Sequence, residues 1–325
     1  MLSFETMYYD RHIVPELADT LKEGAALAWL VQHVHSAKGR SRHAHIQFRR
    51  APGDRRWGSV QLYWGRTSPL ELQWRRGAKL RCVAHATYRQ ASPELFQESF
   101  PLEALEEKEA ALRHHLDKAA LILEEPECRR QALLKGEATS HAGMMWRYGH
   151  AYKASDPMLA LDAEARVGFE SRTKQREADA ELRQRLELYS GEALPKKLDT
   201  IALSSDGHIL LIEVKDREGD IRRALTQVVA HVARFEALLA HQLREVLHRM
   251  RRQKVMAGLI PSDAPELLME PSIRPWVAAP TSAPDWAEAW SEQTQDLREK
   301  WSSRLGGLRW VRLTERGDVL EVRQP

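Results

Sequence analysis

Two apolar runs separated by five turn-forming residues constrain this chain more than any other stretch. Leu198–Leu203 and Ile209–Val214 flank Ser204-Ser205-Asp206-Gly207-His208, and Asp-Gly between β-type runs is a hairpin signal. Period-2 alternation in the second run sets Ile209, Leu211, Glu213 and Lys215 on one face, with Leu210, Ile212 and Val214 on the other. A hairpin folded about Asp206 brings Asp199 directly opposite Glu213. Opposed carboxylates on adjacent strands repel, and burying them uncompensated costs several kcal/mol. A divalent cation between them removes that cost, and Lys215 adds a positive charge beside it. Ligation by one or two carboxylates, waters and substrate phosphate suits Mg2+. Such an ion activates water and stabilises charge building on phosphorus. The plainer alternative is that charges near a hairpin end are solvated surface.

Asp199, thirteen intervening residues, then Glu213-Val214-Lys215 resembles the PD-(D/E)XK nuclease superfamily, the restriction-endonuclease-like fold. The resemblance implies that Asp199 and Glu213 bind Mg2+ or Mn2+, with the main-chain carbonyl of Val214 as a further ligand. It implies that Lys215 orients or activates the attacking water. RecB-like members also carry Gln-x-x-x-Tyr on the following helix. Gln227-Val-Val-Ala-His231 has that spacing with His in place of Tyr, and residues four apart share a helix face. Leu198 rather than Pro precedes Asp199, and no Gly stands where RecB-like members place one upstream, which leaves the subfamily unassigned. The resemblance covers roughly Arg172–Pro280, about a third of the chain. It also implies a helix before the hairpin that contributes a further Glu. Glu170, Glu177 and Glu181 are candidates, and Glu181 is favoured because it flanks Ala178 and Leu182, which should face the sheet.

The 325 residues suggest two domains, 1–150 and 151–325. No apolar run approaches a membrane span, and the first residues lack a signal-peptide pattern. Cys82 and Cys128 make neither a disulfide framework nor a metal cluster. The expected compartment is the cytoplasm. Net charge is only +3, so a nucleic-acid signal must come from charge distribution rather than the total.

That distribution is uneven. A helix is predicted over Val14–His35, then short strands at His43–Arg49, Gly58–Gly65, Glu71–Arg75 and Lys79–Tyr88, an antiparallel meander. The meander concentrates Arg49, Arg50, Arg55, Arg56, Arg75, Arg76 and Lys79, interleaved with Trp57, Tyr63, Trp64 and Trp74. Arginine with aromatics suits phosphate contact plus base stacking; the alternative is that the aromatics fill a core and the arginines rim it. His43 and His45 share a strand face as zinc ligands can, yet no carboxylate or cysteine supports them.

Helices are predicted over Pro101–Leu123 and Glu127–Gly136, with residues 136–156 as a connector. Further helices are predicted from Asp156-Pro157, over Thr173–Tyr189, and as one long helix from Ile221 to Gln253. The wide apolar stripe of that long helix packs on a sheet and leaves a surface for a homodimer or partner protein. Its basic end, Arg244 to Lys254, complements the helix dipole or touches a nucleic-acid backbone. Ile273–Ala279 is an edge or bulged strand because of Pro275, and a helix over Asp285–Leu305 and a terminal hairpin follow.

The fold class is therefore α+β or α/β. It comprises a β-rich N-terminal domain and a restriction-endonuclease-like C-terminal domain with a mixed central sheet flanked by helices. The expected function is metal-dependent phosphodiester hydrolysis, of DNA in preference to RNA, in restriction, repair or defence, without a membrane. The alternatives are a catalytically silent nucleic-acid-binding or assembly protein, and an effector nuclease activated by a partner or ligand.

Overall fold

The computed structural model describes residues 7–50, 58–75, 77–126, 137–188, 194–215, 221–280, 286–314 and 316–325. The described residues begin with a short strand, β1 (Met7–Tyr8), and the helices α1 (Pro15–Asp19), α2 (Ala28–His35) and α3 (Ala37–Ser41). The single helix predicted over Val14–His35 is thus broken. Gly24, at φ +78°, lies between α1 and α2 in a left-handed state that a helix excludes. Five antiparallel strands follow in sequence order: β2 (Ala44–Arg49), β3 (Ser59–Trp64), β4 (Thr67–Arg75), β5 (Lys79–Val83) and β6 (Ser99–Pro101). This is the predicted meander with one more strand, reached through the short helix α4 (Ala86–Arg89). Its inner face packs Ile46, Phe48, Leu62, Trp64 and Leu72 against α2 and the amphipathic α5 (Leu105–Glu124). The helix predicted over Glu127–Gly136 lies outside the described residues.

Two predictions fail in the next stretch. Where a connector is expected, α6 (Glu137–Met145) runs into one π-helical turn, Trp146–His150. Where a helix is expected after Asp156-Pro157, the chain forms strand β7 (Met158–Ala165). Met-Leu-Ala-Leu-Asp-Ala-Glu-Ala favours helix locally, but pairing with a neighbouring strand and burial on both faces override that preference.

The remaining elements are β8 (Gly168–Phe169), α7 (Arg172–Leu186), β9 (Leu198–Ser204), β10 (Ile209–Val214), α8 (Ile221–Leu239), α9 (Leu243–Met256), β11 (Ile273–Pro280), α10 (Trp286–Lys300), α11 (Ser302–Leu305), β12 (Arg309–Leu313) and β13 (Val319–Arg323). The long helix predicted from Ile221 is two helices. Gln242 leaves helical geometry at φ −140°, and its side-chain amide donates to the Met7 carbonyl at 2.9 Å.

A mixed six-stranded sheet has the order β13-β12-β11-β10-β9-β7, in which β11 is parallel to both neighbours and every other pair is antiparallel. The molecule is accordingly of mixed α+β class. β11 is central, not an edge. Ile209 N–H donates to Ser272 O and Lys215 N–H to Ala278 O, so the even-numbered backbone groups of β11 face β10. Pro275 therefore points its missing N–H toward β12, whose pairing begins only at Trp276, and no ladder bond is lost.

The β9–β10 hairpin has the predicted register, Ile209 against Leu203 and Ile212 against Thr200. Its alternation divides two cores. Ile201, Leu203, Ile209 and Leu211 face Val232 and Phe235 of α8 and Leu243 and Leu247 of α9. Ala202, Leu210, Ile212 and Val214 face Met144, Met145 and Tyr148 on the opposite side. The far side of α8 (Leu225, Val228, Val229) is buried against α7, α10 and Trp310. The apolar stripe expected to leave a dimer surface is consumed inside the molecule. No helix among the described residues is long and apolar enough to cross a membrane.

The two sheets exchange elements across the expected division near residue 150. β1 pairs with β8, and Met7 and Tyr9 belong to the core of the larger sheet. Ala257 and Leu259, just beyond α9, belong to the core of the meander. Between the sheets sits Asp162, fully buried at a register shift in β7. It accepts from the Tyr9 hydroxyl at 2.7 Å and from Arg49 Nη1 at 3.1 Å, and it pairs with Arg11 Nε at 3.1 Å. Beside it, Lys254 Nζ donates to the Leu161 carbonyl at 2.5 Å, and burial pulls this amine down to about 8.

Candidate active site

The hairpin register carries Asp199 and Glu213 to the same end of β9 and β10, one pair beyond the last ladder pair, Thr200 and Ile212. Directly opposed residues stand about 4.5–5.5 Å apart at Cβ. Here Asp199 completes the ladder through its side chain, since Oδ2 accepts the Val214 N–H at 2.8 Å. Glu213 is 2% exposed, and its Oε1 accepts from Lys215 Nζ at 2.8 Å. Lys215 is anchored in turn by its backbone N–H to the Ala278 carbonyl at 2.8 Å. Strand β10 thus supplies a buried carboxylate and a cation, and β9 a half-buried carboxylate facing them.

Helix α8 lies over this end. His231 Nε2 is 3.0 Å from the Lys197 carbonyl, two residues before Asp199. Burial, with Arg234 next in effect, pulls the imidazole down to about 3. The ring is therefore neutral at pH 7, its Nε2 carries the proton, and Nδ1 is left as an acceptor. Nδ1 of His231 and Oε1 of Gln227, one helical turn earlier, are both buried and meet no donor among the described residues. The two opposed carboxylates suit a hydrated hard cation, whose waters complete its shell, whereas His231 does not converge with them into a three-ligand group among the described residues. The residues fit Mg2+ or Mn2+ in that sense.

The neutral histidine has a consequence for stability. An unfolded histidine takes up its proton near pH 6.5, so His231 favours the folded state fully above that pH. It removes about 1.4 kcal/mol per pH unit as the pH falls from about 6.5 toward 3. A His231→Asn protein is expected to lose stability less steeply than wild type between pH 6.5 and 4 in parallel urea titrations. Identical slopes would rule out a buried neutral ring.

The other predicted residues are not all brought together. No group of three or more His, Cys, Asp or Glu side chains converges to hold a metal among the described residues. Glu181, half-buried on α7, therefore does not join Asp199 and Glu213. The acid that α7 turns toward α8 is Asp179, 2.8 Å from Arg234 Nη2. In the meander, Arg49 is taken into the Asp162 ion pair and also donates to Ala163 O at 2.5 Å. Arg50 pairs with Asp10 at 2.9 Å, and Trp64 is fully buried. These three leave the expected nucleic-acid surface for the interior. Arg75 is half-buried and Lys79 exposed on paired strands, while Arg55, Arg56, Trp57 and Arg76 lie outside the described residues.

No protein-family model, curated protein or solved structure matches this chain. What the site can do is legible only in its own residues.

A basic groove of about 610 Å³ lies between β8, α7 and α8 and has His231 in its wall, while Asp199, Glu213 and Lys215 do not line it. Arg166, Arg172, Arg183, Lys196 and Arg234 line it with His231, against one acid among the described residues, Asp179. Arg234 is held rigidly by Asp179 and by the Pro195 carbonyl at 2.5 Å. None of these cations is among the residues predicted to touch nucleic acid. Arg234 was within reach of sequence reasoning, three residues past His231 on the same helix face. His141 of α6 gave no such signal, yet its Nε2 lies 2.8 Å from the Asp199 carbonyl and 3.0 Å from Thr200 Oγ1. It supports β9 from the face opposite α8.

Proposed function

We propose that this chain is a metal-dependent nuclease of the PD-(D/E)XK type that hydrolyses phosphodiester bonds, in DNA by preference over RNA. One observation carries the proposal. Asp199 and Glu213 oppose each other at the end of a buried hairpin, with Lys215 Nζ 2.8 Å from the Glu213 carboxylate, and His231 of the overlying helix α8 stands in the wall of a groove lined by five cations. The six-stranded mixed sheet with helices on both faces is compatible with the restriction-endonuclease-like fold that the motif implies.

Asp199, Glu213 and the Val214 carbonyl would hold Mg2+ or Mn2+, which when bound supplies Lewis-acid stabilisation of phosphoryl charge and a more acidic water. The chain's own groups do the rest. Lys215, fixed by Glu213 and by its backbone bond to β11, holds the attacking water by a charge-assisted hydrogen bond and offers a proton to a phosphoryl oxygen. Gln227, on the adjacent helix, would orient substrate or water, and His231, bonded to the Lys197 carbonyl, steadies the approach to Asp199. The groove cations seat the flanking phosphates.

The test is cleavage of duplex DNA, single-stranded DNA and RNA with Mg2+, Mn2+ or EDTA, alongside Glu213→Ala. Metal-dependent cutting absent from the variant supports the proposal and names the substrate. Salt-sensitive binding without cutting would favour a silent nucleic-acid-binding protein instead. A second expectation concerns the groove. Arg172→Ala with Lys196→Ala should weaken DNA binding at all sequences. The slope of log affinity against log salt should fall by about 0.9 for each duplex phosphate that is no longer neutralised, or about 0.7 on single strands. An unchanged slope would place the strand elsewhere.

A further inference from the structure

A second cavity, of about 400 Å³, opens where the meander meets the C-terminal hairpin. Its walls come from α3 (Arg40, Ser41), the residue before β2 (His43), the π-helical turn (Trp146, Arg147) and the β12–β13 turn (Arg316, Asp318). That volume lies within the range of small-molecule sites, about 300–1,000 Å³.

The walls are built rather than incidental. Trp146 is pinned by its indole N–H to the Val34 carbonyl at 2.9 Å, which fixes the plane of the ring. Arg147 is held by both oxygens of Asp156 at 2.5 and 2.6 Å. The hairpin turn is locked on α6. Gly317 adopts φ +83°, and a Cβ there would stand 2.1 Å from the Met144 nitrogen. A Cβ on Gly143 would stand 1.9 Å from the Arg316 carbonyl. Two cations project from this rigid frame. Arg40 lies over the Trp146 ring at 5.6 Å, and Arg316 is exposed at the turn. Neither pairs with a carboxylate among the described residues. His43 Nδ1 is buried with no partner among them.

Paired guanidinium groups recognise phosphate by bidentate hydrogen bonds, and a fixed indole face offers stacking to an aromatic ring. Asp318 adds an acceptor on the same wall, which suits amino or hydroxyl donors on the ligand. We propose that this cavity binds a nucleoside phosphate, its base against Trp146 and its phosphate between Arg40 and Arg316. Helix α6, which leads into Trp146, also carries His141, whose Nε2 lies 2.8 Å from the Asp199 carbonyl.

The test is isothermal titration calorimetry on the full chain in EDTA, with AMP, ADP, ATP, GMP, GDP, GTP and pyrophosphate. At least one nucleotide should bind saturably and more tightly than pyrophosphate. The Arg40→Gln, Arg316→Gln double variant, altered only at exposed side chains, should bind it about tenfold more weakly or worse. Lys196→Ala, in the other groove, should bind as wild type. No saturable nucleotide binding overturns the proposal. So does equal affinity in the double variant, loss in Lys196→Ala, pyrophosphate binding as tightly as any nucleotide, or binding of a single-stranded oligonucleotide alone.

Discussion

An Asp199→Asn protein is expected to fold like wild type and to lose metal-dependent cleavage by about 10³-fold or more. The amide oxygen can still accept the Val214 N–H that the carboxylate accepts at 2.8 Å, so the end of the β9–β10 ladder is kept. What disappears is the negative charge opposite Glu213. Losing several kcal/mol of charge stabilisation at phosphorus corresponds to three or more powers of ten in rate. In EDTA the variant should be as stable as wild type or more so, because one of two opposed carboxylates is gone. Added Mg2+ or Mn2+ should raise the melting temperature of wild type and not of the variant. Cleavage that survives in Asp199→Asn at the wild-type rate would sink the assignment of the site. A stability loss in EDTA would instead give Asp199 a structural role through Val214.

The largest effect on stability should come from a residue far from that site. Asp162→Ala leaves Arg11 and Arg49 without the carboxylate at 3.1 Å from each, and leaves the buried Tyr9 hydroxyl without its acceptor. Removing one partner of a buried ion pair costs about 3–5 kcal/mol, because the remaining charge stays desolvated. Urea denaturation should register that loss. Limited proteolysis should cut more readily between the two sheets, since Arg49 belongs to β2 and Asp162 to β7. A loss below about 1 kcal/mol would mean that water reaches and solvates the two freed guanidinium groups.

The parts of this molecule legible in its sequence are those in which local pattern and tertiary environment agree. The β9–β10 hairpin is one. Its apolar runs, alternation and Asp-Gly turn all specify the register that sets Asp199 against Glu213. Strand β7 is the reverse case, a helix-favouring octapeptide whose bulge between Ala160 and Asp162 also breaks the alternation. Only the edge of β9 makes it a strand. The arginines of the meander illustrate a different limit. Sequence gives their density but not their partners, and Arg49 and Arg50 are drawn inward by Asp162 and Asp10, acids distant along the chain. The groove cations went unread for a related reason. Arg166, Arg172, Arg183 and Lys196 are scattered singly and become a cluster only once α7 and β8 are laid beside α8.

Strand β1 makes the order of synthesis matter. Tyr8 pairs with Gly168 and its hydroxyl reaches the Phe169 carbonyl, 161 residues later, and Tyr8 also lines the basic groove. At about 5–20 residues per second, its partner leaves the ribosome roughly ten to thirty seconds after it does. The strands of the meander are made within that interval, but Tyr8 must wait, and the groove is complete only when it meets β8. Nascent chains stalled short of β8 should therefore expose residues 7–9 to protease, and chains released after it should shield them.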